Sequence, residues 1–503
     1  MTIMLIKCYP TELSFFEGIY DVVVPQDHPL RQFLKLCDFE CIYDELEDKY
    51  CLDNGALAIS PVLLFKYLLL KTMYRLSDVD VVERSRYDMS FKFFLGLRPE
   101  DDVIHPSTLS RFRTLRLQDA NFLDMLLNKS VAIAMKEGVL DKDVDVIIDS
   151  MHICARHNQK TPEMILSKLA KDLRKSVYHS GDADKWKARF PKKVNNKDLK
   201  ELITYCHQLI DLIKDDQSLK YRRNVQESLH LLEEVVAEAE QPETEERTYL
   251  QPLDPDAGLG HKSAYNAFYG YKDHYLLTLN RIIVSAIFTA GHINDGGQLI
   301  PLVEKARKTG LHVNTVIGDM AYSGKDNLAF AESAENPENS FKLVSKLNPV
   351  ISAGMLNQER DGFTYNKDAK RFTCPRGRMA DSVSISEHKN CNRRESHKFN
   401  ASGCIGCPLD GKCHKEGTKT RTYTVTIPSD LHQKQQIFQE TEEFKAYMKH
   451  RYKIEAKNSE LKNEEGLDRA ESTRLIPMSI QGATAMFVAN LKRILVLKRE
   501  NNG

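Results

Sequence analysis

Val144-Asp145-Val146-Ile147-Ile148-Asp149-Ser150 is a short β-branched run that ends on a carboxylate. It reads as a buried central strand, continued by Met151-His152-Ile153. Asp149 closes the apolar core of that strand, where an unpaired carboxylate is costly to bury. It is expected to bind a metal, to pair with a cation, or to emerge at the strand end.

Downstream, Tyr269–Leu279 and Ile282–Thr289 read as two strands separated by Asn280-Arg281, a hairpin with a two-residue turn. Asp295-Gly296-Gly297 leads into an amphipathic helix, Gln298–Lys308, closed by Gly310. A further short strand starts at Val313 and ends on Asp319, inside the loop Gly318-Asp319-Met320-Ala321-Tyr322-Ser323-Gly324. Strand, hairpin, helix and strand in this order predict a mixed α/β sheet, in which ligands gather at the carboxyl ends of strands. Asp149 and Asp319 both take that kind of position, although Asp319 alone would pass for a surface loop acid.

A third acid lies in His450-Arg451-Tyr452-Lys453-Ile454-Glu455-Ala456-Lys457-Asn458-Ser459-Glu460-Leu461-Lys462. Read as a helix, at about 100° per residue, Arg451, Glu455 and Lys462 share one face. Ile454 and Leu461 lie roughly a hundred degrees round, on a core-facing stripe. Alone, this is also the pattern of a solvated helix with charge pairs. Beside two strand acids, Glu455 becomes a third ligand. Three such carboxylates can hold two divalent ions about 4 Å apart, an arrangement suited to phosphoryl transfer. Mg²⁺, or Mn²⁺ in its place, fits hard oxygen ligands.

The 503 residues allow several domains, and 71 basic against 71 acidic residues leave the chain neutral. Any nucleic-acid binding must therefore come from local basic surfaces. The opening Met1–Ile6 run lacks the features of a signal peptide, and no uninterrupted apolar stretch reaches membrane-spanning length, so a cytoplasmic protein without a membrane partner is expected. Residues 1–140 read as helical, with a helix from about Arg31 to Tyr43, another after Ser60-Pro61, and a third capped by Ser77. The helix that starts at His105-Pro106 carries Arg111, Arg113 and Arg116, which fits either a helix-turn-helix-like DNA-binding module or an ordinary packing domain.

Two segments interrupt the sheet pattern. Residues 160–245 hold long Lys-, Glu- and Leu-rich helices (Pro162–Val177, Asn196–Asp215, Gln217–Ala239), with the only tryptophan, Trp186, in a linker between them. Residues 335–435 are loop-rich and hold Cys374, Cys391, Cys404, Cys407 and Cys413. Cys404-x2-Cys407 with Cys374 and Cys413 is the spacing of a zinc-ribbon-like structural Zn²⁺ site, with Cys391, His397 and His414 as substitutes and reduced, unliganded thiols as the alternative. The remaining stretches, 141–159, 246–334 and 436–503, make up the sheet domain.

Asp149, Asp319 and Glu455, in this order, resemble the catalytic triad of DDE transposases with a ribonuclease-H-like fold. Arg451-x3-Glu455-x6-Lys462 is similar to three of the four positions of the Tyr-Arg-Glu-Lys signature of bacterial insertion-sequence transposases. Met448 stands where that signature has tyrosine, and Tyr447 is one residue off. Ile148-Asp149-Ser150, Gly318–Gly324, Ala489-Asn490-Leu491-Lys492-Arg493, Phe93–Leu97 and Ser107–Arg113 also resemble family stretches. The resemblance implies a bacterial, nucleoid-associated enzyme that acts on double-stranded DNA at its element's terminal inverted repeats. It further implies a synaptic homodimer, with Arg451 and Lys462 on phosphates and Arg111 and Arg113 in end recognition. A structure-specific nuclease or resolvase on the same fold, and a catalytically idle DNA-binding regulator, are the rival readings.

Overall fold

The computed structural model describes residues 16, 18–50, 58–117, 121–157, 161–180, 183–192, 194, 198–241, 254–263, 266–332, 337–348, 362–366, 369–386, 393–404, 407, 413, 418–426 and 429–502. They fall into two compact units, one of residues 1–154, 271–470 and 475–503, the other of residues 155–270 and 471–474.

The first unit is built around β1 (Asp143–Cys154). Ile147 and Ile148 point to opposite faces and are both fully buried, so β1 is covered on both sides. In the second unit, β2 (Gly258–Ser263) pairs antiparallel with the first residues of β3 (Asn266–Thr278). The rest of β3 belongs to the first unit, where β4 (Ile283–Ala290), β5 (His312–Ile317) and β6 (Lys342–Val344) complete the order β4-β3-β1-β5-β6. β3 and β4 form an antiparallel hairpin, whereas β1, β5 and β6 run parallel. The hairpin turn differs from the expected two-residue form. Thr278 N–H donates to Ile282 O (2.9 Å) and Arg281 N–H to Thr278 O (2.8 Å), so the loop is Leu279-Asn280-Arg281. Arg281 takes the left-handed conformation (φ 67°) that a three-residue hairpin loop requires at that position.

Helices on either side of the sheet in sequence share its core. Leu30, Phe65, Phe122, Val146, Leu302 and Phe487 belong to one continuous apolar cluster. The expected Arg31–Tyr43 helix is two, Pro29–Leu36 and Cys41–Leu46, with Asp38 accepting from Glu40 N–H (3.0 Å) between them. Buried Phe39 in this break packs on Phe65 and Phe94. The helix Leu475–Asn502 is long and apolar enough to cross a membrane by composition, yet 67% of its apolar window is buried in the fold. It packs on β4 and on the helices Pro61–Tyr74 and Phe122–Lys136. Gly482 permits this approach, since a Cβ there would lie 1.9 Å from the Phe288 ring. Buried Asn490 on the same helix accepts from Ile283 N–H (2.8 Å) and donates to Ile283 O (2.8 Å), satisfying backbone of β4 that would otherwise be orphaned.

The second unit has its own core, built from the helices Pro162–Ser180, Leu199–Lys214 and Arg223–Glu240. Trp186 is not in a linker. It lies on a short helix, Ala183–Arg189, buried in that core beside Phe190 because its large apolar ring gains most there.

The cysteine segment is more ordered than its sequence suggests. A hairpin of β7 (Thr364–Asn366) and β8 (Arg371–Thr373) faces a sheet of β9 (Ser382–Ser386), β10 (Arg394–Asn400) and β11 (Thr420–Thr426). Phe363, Phe372, Phe399 and Tyr423 form a small core, with Phe363 stacked on Tyr423 at 4.1 Å. Aromatic burial therefore gives shape to a segment whose sequence reads as loop-rich.

Candidate active site

Val146 pairs with Val316 and Ile147 with Ile317 across the parallel β1–β5 ladder. Two residues further on, the two strands reach Asp149 and Asp319. β1 continues to Cys154, whereas β5 stops at Ile317, so Asp149 stands inside β1 at the carboxyl edge of its neighbour. Gly318 lets the turn form here, since a Cβ would lie 2.8 Å from both Ile148 Cγ2 and Tyr322 Cδ2.

The Asp319 side chain then caps the turn Met320–Tyr322, its Oδ1 accepting from Ala321 N–H (2.9 Å). Ser345 Oγ donates to Asp319 O (2.5 Å), and buried Gln435 donates to Ser345 O and Leu343 O (both 2.9 Å). Backbone and β6 thus fix the Asp319 loop from below.

Burial pushes the Asp149 carboxyl up to about 6, and the Asp319 charge adds to the rise. Ser150 N–H, the Arg451 charge and a hydrogen bond from Asn458 oppose it. Tyr322 is buried, with its hydroxyl lacking a hydrogen-bond partner among the described residues. Burial raises it well above the usual phenol range, and Asp149, Asp295 and Asp319 raise it further while Arg451 lowers it. Three carboxylates and one guanidinium therefore act electrostatically on one phenol. Asp295 is already engaged by Lys272 Nζ at 2.8 Å.

Glu455 lies on the helix Tyr452–Asn463, whose buried stripe is Ile454, Lys457 and Leu461. Arg451 precedes it in the turn Lys449–Arg451 and is half-buried, its Nε without a hydrogen-bond partner among the described residues. Glu455 is exposed. One turn further, Asn458 Nδ2 donates to Asp149 Oδ2 (3.1 Å), and Asn458 Oδ1 accepts from Tyr275 OH (2.7 Å). Lys462 is half-buried near the C-terminal end of the helix.

The structure thus brings Asp149, Asp319 and Arg451 within electrostatic reach of one another and ties the Glu455 helix to Asp149. It does not close the three acids into a ready chelate. Among the described residues, no three His, Cys, Asp or Glu side chains are gathered to hold a metal ion. Sequence reasoning missed Asn458, Tyr275 and Tyr322. For Asn458 a signal was present, since positions 451, 455 and 458 fall on one helical face.

On the helix Pro106–Arg116, Arg111 is exposed, with no ion pair among the described residues. Arg113 is turned to Asp78 in a two-pronged pair (3.0 and 2.5 Å), which Lys71 joins at 3.0 Å. Burial raises the Asp78 carboxyl, but Arg113 and Lys71 outweigh it and hold the group below its usual range.

Cys374, Cys404, Cys407 and Cys413 line one cavity with Arg376, Arg378 and Arg421. Tight turns present them. Gly377 N–H donates to Cys374 O (2.8 Å) with Gly377 at φ 79°, and Cys407 N–H donates to Cys404 O (2.9 Å). His397 is buried against Phe372 rather than on the cavity, while Cys391 and His414 lie outside the described residues.

Comparison with known families places two matches on this framework. Residues 19–115 match a family described as Transposase domain (DUF772), and residues 373–495 match one described as Transposase DDE domain. The matches support an insertion-sequence DDE transposase. A DDE domain implies an enzyme that cuts DNA and transfers strands. The first match holds Arg111 and Arg113, and the second holds the four cysteines, Arg451, Glu455 and Lys462, while Asp149 and Asp319 lie outside both. No curated protein and no solved structure gives a match.

Proposed function

We propose that the chain binds the terminal inverted repeats of its own mobile element and cuts and joins DNA strands there, with Asp149, Asp319 and Glu455 as the acids. The β1–β5 register carries this reading, because it pairs Ile147 with Ile317 two residues before each acid, at the edge of a covered sheet. The strand order β4-β3-β1-β5-β6, a hairpin on one side and parallel strands on the other, supports a ribonuclease-H-like fold.

The site fits divalent ions in its donor chemistry. Two like charges close to one another, one of them half-buried and pushed up to about 6, are relieved by a cation between them, and hard carboxylate oxygens suit Mg²⁺ or Mn²⁺. Bound there, two such ions would activate the attacking oxygen and stabilise the leaving one. Asp149 and Asp319 hold one edge of the site from the sheet, and Glu455 approaches from its helix. Arg451, beside Asp149, offsets charge and binds a phosphate oxygen near the scissile bond. Lys462 contacts the backbone further along. Arg111 is the exposed member of the N-terminal pair and takes the end-recognition contact, whereas Arg113 has to leave Asp78 to join it. A homodimer that holds two ends, in the cytoplasm at the nucleoid, completes the reading.

Purified full-length protein with duplexes that carry the sequences flanking its gene should nick and join strands in Mg²⁺. Hydrolysis without joining would favour a structure-specific nuclease. Binding without cleavage would favour an idle regulator. Reversing charge at Lys462 should reduce the salt dependence of end binding by roughly one unit of slope.

The four cysteines are proposed as a structural Zn²⁺ site. Their common cavity and its three arginines, whose charge suits a cluster of thiolates, support it; among the described residues the four are not drawn together to metal-holding distance, so the ion would have to gather them. Metal analysis after dialysis should find about one equivalent of zinc.

A further inference from the structure

The Asn458 side chain bridges two strands of the sheet from the helix that carries Glu455. Its Oδ1 accepts from Tyr275 OH on β3 (2.7 Å), and its Nδ2 donates to Asp149 Oδ2 on β1 (3.1 Å). Tyr275 is fully buried. Its hydroxyl needs a partner there, because a buried polar group left unmade costs more than the bond contributes. With Asp149 ionised, only one amide orientation satisfies both neighbours, since the flipped amide would aim its oxygen at a carboxylate. The bonds therefore run in one direction, from phenol to amide to acid.

We propose that Asn458 and Tyr275 are positioning residues for metal-dependent strand cleavage. They hold the Asp149 carboxylate by one oxygen and set the helix register that aims Glu455 at the same ions. The inference rests on the three-acid reading. Two points of geometry carry it. Asn458 follows Glu455 by three residues and Arg451 by seven, so all three lie on one face. A bond that fixes Asn458 against β1 thus fixes the rotation of Glu455 and Arg451 as well. In addition, an N–H delivered to one carboxylate oxygen is the kind of outer support that orients a metal-ligating acid, and its removal typically costs 10–100-fold in metal affinity or activity.

The test uses the full chain. Mn²⁺ binding is followed by electron paramagnetic resonance without DNA. Cleavage of a duplex carrying the gene-flanking ends is followed against Mg²⁺ concentration. Asn458→Ala should raise the metal half-saturation point about 10- to 100-fold in both assays. Tyr275→Phe, which removes one oxygen atom, should move it in the same direction by less. End-DNA binding in the absence of metal should stay at the wild-type value, while the thermal midpoint should fall in Asn458→Ala, which leaves the buried Tyr275 hydroxyl without its amide partner. The double variant should be no worse than Asn458→Ala, because the phenol acts through the amide. Asn458→Asp keeps the volume, turns the donor into an acceptor, and should lose cleavage most.

Wild-type Mn²⁺ affinity and Mg²⁺ dependence in both Tyr275→Phe and Asn458→Asp would overturn the proposal. So would a loss of cleavage that tracks only a lowered thermal midpoint at unchanged metal affinity. Retention of wild-type cleavage by Asp149→Ala is a separate result, and it would remove the three-acid reading itself.

Discussion

The acids and the cysteines are both sets of ligand-type side chains, yet the chain positions them by opposite means. Asp149, Asp319 and Glu455 come from distant parts of the sequence, and in the proposed site the register of a covered sheet and the Asn458–Asp149 bond would bring them together. The four cysteines come from a single segment, and local turns around a small aromatic core present them. The first arrangement is held by a large core and keeps its framework without metal. The second rests on few buried side chains, so a bound ion contributes much more to its shape. One cluster should therefore lose chemistry and keep its fold when a ligand is removed. The other should lose local structure.

The largest effect expected is at the acids. Asp149→Ala, Asp319→Ala and Glu455→Ala should each lower strand cleavage by about 10³-fold or more, as for groups that act as a unit. Their thermal midpoints should stay close to wild type, and the Asp149 variant should hold or gain stability because a carboxyl disfavoured by desolvation is gone. If any variant unfolded instead, the claim that the large core holds the site would fail.

Next in size is the cysteine cluster. Cys404→Ser with Cys407→Ser should abolish the zinc equivalent and make residues 364–426 the first site of limited proteolysis, at a rate about tenfold above wild type. The main transition should be unmoved. An equally resistant double variant would mean that Phe363, Phe372, Phe399 and Tyr423 suffice, and the contrast between the clusters would disappear.

Which parts were legible follows from how local each signal is. β1 and β5 were readable because short β-branched runs ending in acids carry their own pattern, and the buried stripe of Ile454 and Leu461 follows from helical spacing. Partners were not readable. Arg111 and Arg113 look alike in sequence, but only the fold brings Asp78 to Arg113 and leaves Arg111 exposed. Lys457 shares the buried stripe, and nothing near it in sequence distinguishes it from the exposed cations around it. Trp186 and the aromatic core of the cysteine segment were missed for the same reason, since both depend on contacts between separate short elements. The hairpin loop length turned on one arginine in the left-handed conformation, which residue type alone does not favour.

The Asp78 pair tests whether the N-terminal helices are held by charge as well as by apolar packing. Asp78 lies below its usual range when folded, so its contribution is present above the ordinary carboxylate pKa and is lost as pH falls through the folded value. Asp78→Asn should cost about 2 kcal/mol at neutral pH by weakening the bonds to Arg113 and Lys71. It should also flatten the acid limb of the stability profile. Thermal melts from neutral to acid pH would measure both. A variant whose loss persisted undiminished in acid would point to packing instead.

The smallest effect expected is a gain. Asp273 on β3 is fully buried, and neither carboxyl oxygen has a hydrogen-bond partner among the described residues. Burial raises its carboxyl well above the usual range, so the folded chain keeps this proton where the unfolded chain releases it. The unfolded state then binds fewer protons, and stability falls as pH rises from the ordinary carboxylate value toward the raised one. Asp273→Leu, of similar size and without polar atoms, should remove that slope and stabilise the fold by about 1 kcal/mol at neutral pH. Near pH 4 and below the difference should shrink, because both states then carry the proton. Paired melts at acid and neutral pH would show it. A variant less stable at both would mean that Asp273 has a partner that the fold demands, and the sheet beside Asp149 would then be less purely apolar than its burial indicates.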